Sequence, residues 1–314
     1  MARSLAQVAA ARERGQAERA WALAARAMRR SAPDDGRAAI AAAEVLPQLP
    51  AEPTAAWRDR AVRVRDALEA FLAAAPEHPD VRRAGRARAW AQALAGEHEA
   101  AIERAAGAIG LQDREASTLL GRMAALAVLR DDLASARRAL VAAHRAYPQD
   151  NATLFDLGAI ELALGRPAEA AEHYGRILGR RPEDLDARRD LAGALVAAGR
   201  PDDAVELLSQ AAERHPDVID LWLELAHAAL EATSSSVAEQ AARQAIERLP
   251  EDDGRGHLAL GLALAQRGDR AAAAAAFDET LRRDPGDLRA QQGLVSLREA
   301  PPPRRDAARQ LAAP

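Results

Sequence analysis

The residues able to do chemistry are few and scattered. Seven histidines stand at positions 78, 98, 144, 173, 215, 227 and 257, and no two are four residues apart, the spacing that places two imidazoles on one helical face for a metal. The chain has no cysteine, which removes thiolate nucleophiles, zinc–thiolate sites and disulfides. Gly254-Arg255-Gly256 is the one GxG doublet, but it lacks the preceding strand and the third glycine of a phosphate-binding turn and reads as a connection between helices. Ser234, Ser235 and Ser236 fall between Glu231 and Ala238, where a turn accounts for them without a nucleophile. Arg82, Arg83, Arg86 and Arg88 lie beside Trp90; arginine with an aromatic can stack on bases or clamp phosphates, although the commonplace reading of such a run is a solvated helix face. No catalytic residue, metal ligand or cofactor is expected, and the protein reads as no enzyme.

The elements that carry these residues follow from composition. Hydrophobic residues make up 49% of the 314-residue chain, yet only 4 Trp, 3 Phe and 2 Tyr are present, so the apolar surface comes from Ala and Leu. These are strong helix formers, whereas strands draw on β-branched and aromatic side chains. The run Ala271 to Ala276 reads as a small-residue helix packed close to its neighbours. All 43 basic residues are Arg, and against 47 acids they leave a net charge of -4, which argues against non-specific nucleic-acid binding and an RNA-binding repeat protein. Arg3, Arg12, Glu13, Arg14, Glu18 and Arg19 interrupt the first thirty residues, leaving no apolar signal core or 18-residue span. A cytoplasmic protein is the expectation. The charge is unevenly spread: residues 1–34 hold seven Arg against Glu13, Glu18 and Asp34, while residues 217–253 hold nine acids against Arg243 and Arg248. Such polarity favours head-to-tail self-association.

Five prolines, at 148, 182, 216, 250 and 285, are separated by 34, 34, 34 and 35 residues. Other landmarks recur at the same offsets. A small residue occupies 124, 158, 192, 226 and 261, and seven residues later comes a turn at Asp131, Gly165, Gly199, Thr233 and Gly268. Ala136, Ala170, Ala204, Ala238 and Ala273 follow, then Leu140, Tyr174, Leu208, Ala242 and Phe277. The glycines supply the left-handed conformation that ends a helix, and Pro167 and Pro201 suit a helix start that needs no N–H. After each closing proline an acid (Asp150, Glu183, Asp217, Glu251, Asp287) can cap or favour the next helix.

This pattern resembles the tetratricopeptide repeat, a helix-turn-helix unit of about 34 residues. The resemblance implies an all-α, right-handed α-solenoid of tetratricopeptide-like repeats. Residues 117–287 form five regular repeats, and residues 1–116 form degenerate ones with a Pro-rich insertion at 47–53 (Pro47, Pro50, Pro53). Residues 288–299 form a capping helix, with Leu288, Leu294 and Leu297 expected on one side, and 300–314 a disordered tail.

In this family the first helix of each repeat lines a concave groove, and the resemblance places Phe155, Asp156, Asp186, Asp190, Asp220, Leu223, Glu224, His227 and Leu258 on it. Asp186 and Asp190 are one helical turn apart, as are Asp220 and Glu224, and stacking at the repeat period sets Asp156, Asp190 and Glu224 in a row. An acidic ladder beside an apolar strip suits a basic, apolar-containing segment of another protein; alternatively acids near helix starts merely answer the helix dipole, and Arg189 neutralises some of them. A grip on acidic chaperone tails is disfavoured, because Lys is absent and Asn151 is the only Asn. The resemblance thus implies a non-enzymatic scaffold or adaptor; the alternative is a structural subunit of a larger assembly.

Overall fold

The computed structural model describes residues 2–46, 55–107 and 113–299, and among them the chain is helical without a strand. The helices gather into two compact units, residues 1–165 and 166–314. The first holds α1 Ala2–Glu13, α2 Ala17–Met28, α3 Arg37–Val45, α4 Ala55–Ala74, α5 Val81–Ala95, α6 His98–Gly107, α7 Arg114–Val128, α8 Leu133–Ala146 and α9 Asn151–Ala163. The second holds α10 Pro167–Arg180, α11 Leu185–Ala197, α12 Pro201–Arg214, α13 Ile219–Glu231, α14 Ser235–Ile246, α15 Arg255–Arg267, α16 Arg270–Arg283 and α17 Leu288–Glu299. The Pro-rich insertion and the tail lie outside the described residues.

One backbone conformation ends the first helix of most pairs. Positive φ occurs at Gly15, Gly96, Asp131, Gly165, Gly199, Thr233 and Gly268, which includes all five turn landmarks of the regular repeats. After α11 the Gly199 N–H donates to Val196 O (3.0 Å) and the Arg200 N–H to Leu195 O (2.8 Å). After α13 the same pair of bonds is made by Thr233 to Leu230 (3.0 Å) and Ser234 to Ala229 (2.7 Å). These bonds satisfy carbonyls that a helix end would otherwise leave open.

Four of the second helices begin in one of two ways. Pro167 and Pro201 occupy the first turn of α10 and α12, while Asp132 and Asp269 cap α8 and α16 through the N–H of Ser135 (3.0 Å) and Ala272 (3.2 Å). Ser235 and Ser236 open α14 rather than extending the turn. Of the acids after the closing prolines, Asp150 and Asp287 cap, accepting from Ala152 (3.2 Å) and Ala290 (2.8 Å). Glu183 yields that place to Asp184, which accepts from Ala187 at 3.1 Å, and α13 and α15 start without a side-chain cap.

Each helix end brings its apolar landmarks to the core. Ala136, Ala170, Ala204, Ala238 and Ala273 are fully buried, as is the series Leu140, Tyr174, Leu208, Ala242 and Phe277. Alanine at these places lets helices approach closely, so thin layers are filled at interior density. Within the second unit α11, α13, α15 and α17 pack successively on one another, as α1, α3, α5 and α7 do within the first. First helices therefore form one layer of each unit.

Phe277 shows how the last regular repeat is closed. It is fully buried in a cluster with Leu258, Leu264, Ala273, Ala276 and Ala290, and Leu294 and Leu297 pack against that cluster. A Cβ placed on Gly261 of α15 or Gly293 of α17 would lie 2.6 Å from the Phe277 ring, so the ring takes the volume that two missing side chains leave. The terminal helix thus covers the stack with Ala290, Gly293, Leu294 and Leu297. Leu288 does not share this face: it is 67% exposed, because at 3.6 residues per turn it falls on the side of α17 opposite Ala290, Leu294 and Leu297.

Candidate functional site

In the second unit the layer of first helices carries a cleft of about 580 Å³, lined by Ala192 and Val196 of α11, Asp220, Leu223, Glu224 and His227 of α13, and the guanidinium-bearing Arg189 and Arg255. The 3.6-residue period explains the selection: 220, 223, 224 and 227 share one face of α13, while 221, 225 and 229 face the core. Leu223 is half-buried and His227 exposed, giving the cleft an apolar floor under a polar rim.

Its charges are largely cross-linked. Arg189 donates to Glu224 through Nε (2.7 Å) and Nη2 (2.5 Å), and this bond, reinforced by the charges of Glu224, Asp220 and Asp186, raises the Arg189 pKa. Arg255 is held chiefly by Asp253 (2.8 Å) and reaches Asp220 at 3.4 Å. Arginines one repeat away thus close ion pairs with Glu224 and Asp220; the neutralising role of Arg189 was expected from the sequence, that of Arg255 was not. Asp186 and Asp190 lie exposed on α11, with no ion pair among the described residues. Asp190 is raised above the ordinary carboxylate range by desolvation, then by the charges of Asp186 and Glu224.

The remaining expected residues are placed differently. Leu258 is only 9% exposed and belongs to the Phe277 core cluster, so it packs the repeat rather than lining a groove. Phe155 is half-buried and Asp156 exposed on α9 of the first unit; desolvation and the charge of Asp150 raise the Asp156 pKa. No group of three or more metal-ligating side chains occurs among the described residues, nor any helix long and apolar enough to cross a membrane.

The first unit carries a second cleft, of about 640 Å³, that reading the arginine run as a solvated face passed over. Glu44 of α3, Arg83, Arg86 and Trp90 of α5, and Glu115 and Arg122 of α7 line it. Arg83 pairs with Glu44, and Arg86 with Glu115 and, at 3.6 Å, Asp113. The usable signal was Arg122, which the repeat register places on a groove position of α7 one layer from Trp90.

Comparison with known families and structures completes the description. A tetratricopeptide repeat model matches residues 122–184 and 223–287, and another of the same description matches 161–223. A thermophilic tetratricopeptide repeat protein from Thermus thermophilus is 22% identical over 58% of this chain and 98% of its own, with a TM-score of 0.43. MamA residues 41 to the end from Desulfovibrio magneticus RS-1 is 19% identical over 55% and 97%, with a TM-score of 0.48. YrrB, described as a tetratricopeptide repeat protein with an unusual peptide-binding site, is 17% identical over 62% and 96%, with a TM-score of 0.47. The comparison with curated proteins gives no match.

Proposed function

Because the chain belongs to the tetratricopeptide repeat family, whose fold generally serves protein–protein interaction, we propose that it is a non-enzymatic adaptor that holds a segment of another protein in the cleft of its second unit. The observation that carries this reading is the cleft itself: an apolar floor of Ala192, Val196 and Leu223 beneath a rim of fixed Arg189–Glu224 and Arg255–Asp220 pairs. Rigid helices with ion pairs already made present a preorganised surface, which reduces the ordering cost of association. Asp186 and Asp190, the unpaired acids next to it, favour a segment with a basic residue beside apolar ones.

The test is capture from native lysate with the wild type beside Asp186→Asn/Asp190→Asn, at low and high salt. A bound protein that is lost from the variant and released by salt is the expected outcome; identical capture by both proteins under both conditions would sink the assignment. A second reading, a subunit of a larger assembly, draws on Leu288 and Val295, exposed to 67% and 50% on α17. Seven residues apart, they share one helical face. Light scattering separates the two readings, since a constitutive subunit associates through this face when purified alone and the adaptor stays monomeric.

A further inference from the structure

The cleft of the first unit holds one cation that its surroundings leave uncompensated. Arg122 lies with Cζ 4.2 Å from the centroid of the Trp90 ring, and no acid pairs with it among the described residues. Desolvation alone accounts for the downward shift of its pKa. Stacking on an indole uses the face of a guanidinium and leaves the in-plane N–H donors free. Trp90 is 8% exposed and lines the cleft, so its ring is a fixed plate in the cleft wall. Arg122 is itself exposed, so a guanidinium seated on an indole face and unpaired within the protein is open to an acceptor that binds from outside.

Charge counting narrows the ligand. The lining residues include three arginines, 83, 86 and 122, and two glutamates, 44 and 115, and the charges paired to them from beside the cleft, Arg12 on Glu44 and Asp113 on Arg86, offset each other, so the cleft carries one net positive charge. A single carboxylate balances it, whereas a dianionic phosphate would meet the two glutamates with excess negative charge. Ile40, Ala43, Ala87 and Leu119 supply an aliphatic surface in the same cleft. We propose that this cleft receives one acidic side chain of a partner peptide segment, flanked by an aliphatic residue, with Arg122 as the binding cation and Trp90 as the plate that orients it. The residues invoked are distinct from those of the second unit's cleft, and the two sites stand or fall separately.

The experiment is calorimetric titration of the intact protein at low ionic strength with N-acetyl-Leu-Glu-Leu-amide, its Gln counterpart and inorganic phosphate. The Glu peptide is expected to saturate the site and to bind at least about tenfold more tightly than the Gln peptide, the difference made by a charge-assisted hydrogen bond. Arg122→Gln should abolish that preference with the helical circular dichroism unchanged, and Asp186→Asn/Asp190→Asn should retain it. Equal binding of the Glu and Gln peptides to the wild type, stronger binding of phosphate, or no saturation by the Glu peptide up to about 10 mM would each overturn the assignment.

Discussion

Replacing Thr233 by Gly should stabilise the protein, although it removes three heavy atoms and adds none. Thr233 ends α13 at φ 56°, a conformation that costs a residue with a Cβ about 1–2 kcal/mol, with a β-branched side chain at the upper end. The side chain is exposed, and its N–H bond to Leu230 O at 3.0 Å belongs to the backbone and survives the change. Against the relief stands the extra freedom of glycine in the unfolded chain, about 0.5–1 kcal/mol. The net gain is about 0.5–1 kcal/mol. Stacked repeats open locally, so native-state hydrogen exchange of the α13 and α14 amides is the direct assay, with urea unfolding as the global check. The control is Gly199→Ala, where no atom lies within 4 Å of the added Cβ, so only the backbone term acts and about 1 kcal/mol should be lost. Slower exchange in Thr233→Gly and faster exchange in Gly199→Ala support the reasoning; unchanged or faster exchange in Thr233→Gly refutes it.

Three further outcomes follow from the packing and the charges. Gly261→Ala and Gly293→Ala should each cost about 1–3 kcal/mol by forcing the Phe277 ring to move, more than Gly199→Ala, and equal costs in urea unfolding would contradict the close approach seen at 2.6 Å. Arg137→Ala should destabilise the fold, because it removes the 2.6 Å ion pair made to the buried Glu161; unchanged stability in the same assay would show that other contacts carry that carboxylate. Asp190 titrates higher when folded than when unfolded, so the native state binds more protons between the ordinary carboxylate pKa and the raised one, and Asp190 weakens the fold above that window. Asp190→Asn should therefore be more stable than wild type at neutral pH, with the difference closing as pH falls through the window; a difference that widens on acidification would reverse the sign.

The repeats were legible because each is specified by short-range chemistry. A left-handed turn, a proline at a helix start and a small residue at a crossing are local demands, and at the 34-residue period they name the residues that the fold uses. Even Thr233 and Asp131, neither a glycine, were placed at the turn by register alone. The site was less legible, since groove positions name residues and not their partners. Arg189 and Arg255 reach across one repeat to Glu224 and Asp220, a contact decided by side-chain length and rotamer. Leu258 occupies a groove position by register but packs into the core cluster of Phe277, a burial that register alone does not reveal. Arg122 and Trp90 belong to different helices 32 positions apart, and only packing of α5 on α7 turns a basic run into a cleft.

The central claim is that the first helices of the second unit form the binding surface. Hydrogen exchange read by mass spectrometry, on the protein alone and with a partner captured by the wild type, tests it most directly. Protection should fall on residues 185–197, 219–231 and 255–267, which are α11, α13 and α15. Protection confined to α12, α14 and α16 would contradict the account.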